Sequence, residues 1–149
     1  MITKDLLNKI FDYKDGTLIR LSTNNIHKST RKNRRHRINI NNKKYSISRL
    51  IYIYHNGCIP DGKYIDHIDR NPINNNMSNL RLSSPSQNNS NRSPKKPIYK
   101  TKHNTYTAKI QFMLKSHYIG SFKSKKEAII AYNKKCSLIH GEFAVLIDL

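Results

Sequence analysis

The sequence has no tryptophan, two cysteines, five glycines and five prolines in 149 residues. Acidic residues are scarce too, with nine Asp and Glu against 28 Lys and Arg and a formal net charge of +19. Each shortage removes a class of protein. Cys58 and Cys136 lie far apart in the chain. They make neither a CxxC-type zinc site nor a disulfide framework, so the expectation is a reduced, intracellular protein without structural zinc. No apolar run approaches the roughly 20 residues of a membrane helix. The opening stretch, from Met1 to Asp15, lacks the apolar core and cleavage site of a signal peptide. Apolar residues make up 36% of the chain, below the roughly 45–50% of an ordinary globular domain. A thin core under a polar, positive surface follows, in one domain or two small ones.

The positive charge is patterned. Residues 17–60 hold ten Lys or Arg and no acid, including the run from Arg31 to Arg37. Residues 70–126 hold twelve and no acid. Between them stands a short acidic island of Asp61, Asp66 and Asp69. A long basic surface binds a polyanion by releasing its counterions, which points first to nucleic acid and second to an anionic membrane surface. Carboxylates kept inside such a field point to a divalent cation, which needs anionic oxygens.

The coarse reading is α+β. Residues 3–12 read as a helix, Lys14-Asp15-Gly16 as a turn and Thr17–Leu21 as a strand. Residues 22–36 read as a basic loop or arm. Alternation on both sides of Asn41-Asn42-Lys43 predicts a β-hairpin, and residues 48–56 a helix with Ser48 as N-cap and Gly57 as stop. Residues 63–93 read strand, Asn-rich loop from Asp69 to Ser78, strand from Asn79 to Ser83, then a helix with Ser84 as N-cap and Pro85 in its first turn. The stretch Ser90–Pro97 is basic and carries two prolines, which predicts a domain border there. Three strands follow, at Ile98–Lys102, Tyr106–Phe112 and His117–Phe122. Ser124 and Glu127 then form a capping box for a helix that Gly141 ends.

The chemistry-bearing segment is Asp66-His67, then Asn79-Leu80-Arg81, then Gln87-Asn88-Asn89. On a strand, Asp66 and His67 point to opposite faces, and the following helix must return a second ligand to Asp66. With these spaced motifs the segment resembles the HNH (ββα-metal) endonucleases of the phage and homing type. The resemblance extends upstream to Arg49 in Ile47-Ser48-Arg49-Leu50-Ile51, and covers roughly residues 5–93. It implies four site residues: His67, Asp66, Asn79 and Asn88. His67 is the implied general base. Asp66 and Asn88 are the implied ligands of one divalent ion, Mg²⁺ or Mn²⁺ by their oxygen donors. Asn79 is implied to brace the loop and orient His67. Arg70 stands where the family often has Gly.

The second part carries Tyr106-Thr107-Ala108-Lys109-Ile110, Tyr118-Ile119-Gly120-Ser121-Phe122, Lys126-Glu127-Ala128 and His140-Gly141-Glu142-Phe143-Ala144. In these residues it resembles an AP2 (ERF-type) DNA-binding domain. Alternation turns Ala108, Ile110 and Phe112 toward the helix. The resemblance then places Tyr99, Thr101, Lys109, Gln111 and Tyr118 on a DNA-facing sheet, with Arg49 and Arg81 as further DNA contacts from the first part.

The expected organisation is an HNH nuclease domain over 1–93 with its ββα-metal core at 63–93. A linker at 94–97 follows, and then a small three-stranded sheet plus helix, the AP2-like domain, over 98–149. The implied function is metal-dependent hydrolysis of DNA phosphodiester bonds, by nicking or double-strand cleavage, in a homing-type or phage enzyme. Double-stranded DNA is the expected partner, with no membrane partner, and the chain would act as monomer or homodimer. For a phage or viral protein the location is the host cytoplasm, with the nucleus left open. The rival readings are a non-catalytic DNA-binding regulator with a degenerate HNH module, and a basic RNA-binding protein.

Overall fold

The computed structural model describes residues 2–27, 36–92, 96–113 and 115–149. The chain divides into two compact units, Met1–Pro85 and Ser86–Leu149. The expected border near residue 93 and the linker 94–97 fall partly on 93–95, outside the described residues. The basic run from Arg31 lies, up to Arg35, outside them as well.

In the first unit, α1 (Lys4–Ile10) is capped by Thr3, whose hydroxyl accepts from the Leu6 N–H. The helix is shorter than its apolar spacing predicts. Phe11 takes an extended conformation and opens β1 (Phe11–Lys14), burying its ring in the core as the first residue of a strand. Asp15 and Gly16 both have positive φ, which makes the tight turn into β2 (Thr17–Arg20). A two-residue strand, β3 (Ile26–His27), completes an antiparallel sheet in the order β1-β2-β3. It lies inside the stretch expected as a loop or arm.

The predicted hairpin is present as β4 (Arg37–Ile40) and β5 (Lys43–Ser46). Its turn is Asn41-Asn42 alone, both with positive φ, so Lys43 already pairs with Ile40. The next helix, α2 (Ile47–Asn56), therefore starts earlier than expected, with Ser46 and not Ser48 at the N-cap. Gly57 ends it at φ +88 and donates to the Ile53 carbonyl. Leu7, Phe11, Leu18, Ile38, Ile40, Ile47, Leu50, Ile51 and Leu80 form the core of this unit. The pair β6 (Tyr64–His67) and β7 (Leu80–Ser83) is antiparallel and contributes Leu80 to that core. Then α3 (Pro85–Ser90) begins, with Pro85 first as predicted.

The second unit is an antiparallel sheet in the order β10-β9-β8, packed on one helix. Its strands are β8 (Ile98–Lys100), β9 (Tyr106–Phe112) and β10 (Lys115–Phe122). The helix α4 (Lys125–His140) has the full capping box, with Ser124 and Glu127 bonding reciprocally. Ala108, Ile110, Ala128, Tyr132 and Cys136 form the core. Both cysteines are free thiols, Cys58 exposed and Cys136 buried. Among the described residues no helix is long and apolar enough to cross a membrane.

Candidate functional site

Asp66 and Arg81 are directly paired across β6 and β7. The Arg81 Nε donates to Asp66 Oδ2 at 3.0 Å, and both side chains are largely buried. Arg81 thus stands beside Asp66 at the β6–β7 ladder. Arg49, by contrast, is exposed on α2.

His67 ends β6 and is half-buried. Its Nε2 lies 3.1 Å from Asn75 Oδ1, and Asn75 Nδ2 donates to the Ile73 carbonyl at 3.1 Å. Asn75 is 2% exposed. The Asn-rich run gave no hint of this residue, because Asn74, Asn75 and Asn76 look alike in sequence.

The loop after His67 is closed on itself. Asn79 Oδ1 accepts from the Asp69 N–H at 3.0 Å, and Asn79 Nδ2 donates to Asp69 Oδ1 and to the Asn74 carbonyl, both at 2.8 Å. Asp69 Oδ1 also accepts from the Asn71 N–H, and Oδ2 accepts from Asn74 Nδ2, again at 2.8 Å. Burial pushes the Asp69 carboxyl up. The hydrogen bonds from Asn71, Asn74 and Asn79, with the nearby His67, outweigh it and hold Asp69 below the usual carboxylate range. Asn79 thus bonds to loop backbone. Asp69 is a hub of the loop. Arg70 takes φ +62, a left-handed conformation that Gly adopts without strain.

The first hairpin braces this loop. Tyr13 Oη accepts from the Met77 N–H at 3.1 Å. A Cβ on Gly16 would lie 2.8 Å from the Asn76 nitrogen and 2.9 Å from the Asn75 carbonyl carbon. The turn therefore presses on loop backbone.

Asn88 lies in α3, half-buried, beyond the border of the first unit. Among the described residues no group of three or more His, Cys, Asp and Glu is placed to hold a metal. The donor set expected here is different, one carboxylate and one carboxamide. Such oxygen donors fit a hard divalent ion that keeps much of its water. A carboxylate carries about four acceptor positions, so the bond from Arg81 is compatible with a cation on Asp66.

Residues 45–90 match the HNH endonuclease family. This segment is an HNH endonuclease domain. The matched span contains Asp66, His67, Asn75, Asn79, Arg81 and Asn88. The chain is 38% identical over 105 residues to an uncharacterized HNH endonuclease, L560, of Acanthamoeba polyphaga mimivirus. That alignment covers 68% of this chain and 56% of the viral protein. Over 33 residues it is 61% identical to protein 3.8 of Escherichia phage T7, covering 22% of this chain and 27% of the phage protein. The chain thus spans about half the length of the first of these relatives and less of the second. No solved structure matches it.

In the second unit, Lys109, Gln111 and Tyr118 are exposed, and Ala108 and Ile110 are buried against α4, as alternation predicts. Tyr99 is exposed on β8, with Lys109 Nζ 5.3 Å from its ring centre. Thr101 is placed differently from its expected strand position. The strand β8 stops at Lys100, and the Thr101 hydroxyl bonds Thr105 Oγ1 at 2.7 Å within the turn to β9.

Proposed function

We propose that the chain is a metal-dependent DNA endonuclease that hydrolyses phosphodiester bonds. The observation that carries the reading is the end of β6. There Asp66 and His67 are adjacent, Asp66 bonded by Arg81 from β7 and His67 by Asn75 from the loop, inside a segment that matches HNH endonucleases. Asp66 and Asn88 would hold one Mg²⁺ or Mn²⁺. The bound ion supplies Lewis acidity to the scissile phosphate and to its leaving oxygen. The His67 imidazole accepts a proton from the attacking water, the new P–O bond forms, and the P–O3′ bond breaks. The 3′ oxygen then takes a proton from solvent. Arg81 holds the Asp66 carboxylate in one orientation. Asn79 keeps the loop, and with it His67, in register.

The second unit is proposed as an AP2-like duplex-binding module. Tyr99, Lys109, Gln111 and Tyr118 offer stacking, charge and hydrogen bonds on one sheet, with Arg49 as a contact from the first unit. Thr101 is retained only as a contact at the turn. Domain borders near 93–98 are proposed with it. The viral and phage relatives support a homing-type or phage setting, hence host cytoplasm. One active site per chain supports nicking by a monomer, with double-strand cleavage by a homodimer.

The test is nicking of supercoiled plasmid by the full chain in Mg²⁺ or Mn²⁺. Activity should vanish in EDTA. It should fall about 10²- to 10⁴-fold in His67→Ala while DNA binding persists. A chain that binds DNA and never cuts it across salt and metal conditions would be a regulator with a degenerate module.

A further inference from the structure

We propose that Asn75 is a positioning residue that holds the His67 ring by its Nε2 and so fixes the Nε2–H tautomer. That His67 serves a reaction rests on the nuclease reading. The tautomer does not.

A neutral imidazole carries one proton and exchanges it between two nitrogens. Which nitrogen holds it depends on the groups that face the ring. Here the group facing Nε2 is the Asn75 carboxamide, at 3.1 Å. An amide can present either oxygen or nitrogen, and its other contact decides between them. That contact is the Ile73 carbonyl, a pure acceptor, 3.1 Å from the far end of the amide. The NH₂ must face Ile73, and the oxygen must face His67. An oxygen opposite Nε2 requires a proton on Nε2.

Burial makes the choice binding. Asn75 is 2% exposed, so water offers no easy replacement partner for either end of its amide. The backbone beneath it is also held. Gly16 presses on Asn75 and Asn76, and Tyr13 fixes the next N–H, that of Met77. The device is a side chain locked in place by its own carbonyl neighbour, which then orients a base.

The experiment reads the tautomer directly. The full chain is labelled with ¹⁵N-histidine, kept metal-free at about pH 8 where an ordinary imidazole is neutral, and examined by long-range ¹H–¹⁵N correlation. His67→Gln assigns the ring. The expected result is a protonated Nε2 and an unprotonated Nδ1. Asn75→Asp keeps the acceptor and should keep that form. Asn75→Ala should give a mixture. In nicking assays with metal, kcat should fall about 10- to 100-fold in Asn75→Ala, with KM for DNA unchanged and Asn75→Asp closer to wild type.

A wild-type ring protonated on Nδ1 overturns the proposal, as does an Asn75→Ala ring still wholly protonated on Nε2. The wild-type spectrum decides even where Asn75→Ala does not fold. A chain with the Nε2–H ring that cuts no DNA supports the positioning role and sinks the nuclease reading. A chain that nicks with an Nδ1–H ring does the reverse.

Discussion

Arg81 and Asp66 face each other across the β6–β7 ladder and share a bond of 3.0 Å, with only 12% and 8% of their side chains exposed. Two charges this far from water stabilise each other, and removing one takes a charged neighbour from the other. Arg81→Met should therefore destabilise the chain by about 3 kcal/mol. The measurement is urea unfolding, where the midpoint should fall with little change in slope. Adding Asp66→Asn should recover part of the loss, since position 66 then carries no charge to bury. An Arg81→Met chain as stable as wild type would show that the pair carries no stability.

Gly16 and Gly57 both have positive φ, +76 and +88, but only Gly16 has neighbours where a Cβ would go. The comparison separates backbone strain from contact. Gly57→Ala should cost about 1 kcal/mol through its conformation alone. Gly16→Ala should cost more, about 2–3 kcal/mol, because the nearest atoms are backbone of Asn75 and Asn76 and cannot swing aside. Differential unfolding of the two variants checks this. Equal losses would mean that the turn does not bear on the loop.

Much of the architecture was legible because local rules agree with one another. Ser124 and Glu127 announced a capping box, and the box is formed. Pro85 announced the start of α3. Alternation from Tyr106 to Phe112 announced β9 and its inward residues Ala108 and Ile110. The failures have physical causes. Phe11 follows the helical spacing of Leu6, Leu7 and Ile10, but the chain turns extended there to pair with Arg20. Thr101 continues the alternation of β8, but Thr105 draws its hydroxyl into a turn. At the site, Asp66, His67 and Asn79 stand out through the family resemblance that their motifs carry. Asn75 does not, because its role comes from burial and from the Ile73 carbonyl, and neither leaves a mark in an Asn-rich run.

Asp69 links the loop to pH. Its carboxyl is held below the ordinary value of 3.8, since the bonds from Asn71, Asn74 and Asn79 and the field of His67 exceed the cost of burial. A depressed carboxyl contributes stability that is fully present above its unfolded value and lost as pH falls through the folded one. Acid should therefore loosen this loop only below about pH 3.8. Asp69→Asn should lower stability at neutral pH and flatten the acid limb of the stability curve. The check is urea unfolding from pH 6 down to about pH 2. An acid limb as steep in Asp69→Asn as in wild type would assign the acid response to other carboxyls.

The sheet face of the second unit makes a separate, ionic prediction. Lys109 and Gln111 are exposed neighbours on β9, and Tyr118 is 64% exposed on β10. If this face holds duplex DNA, its residues should fail in different ways. Lys109→Ala should weaken binding evenly across sequences and reduce the slope of log K against log salt by about 1, if Lys109 meets a phosphate. Gln111→Ala should leave that slope alone and cost about 1–3 kcal/mol at one base position, if the amide reads a base edge. Tyr118→Ala should weaken binding through lost packing, again without changing the salt slope. Lys134, exposed on α4, serves as the control of equal charge. Fluorescence anisotropy over a salt series measures all four. A Lys134→Ala slope that changes as much as that of Lys109→Ala would mean that DNA answers to the overall charge of +19 and not to this sheet.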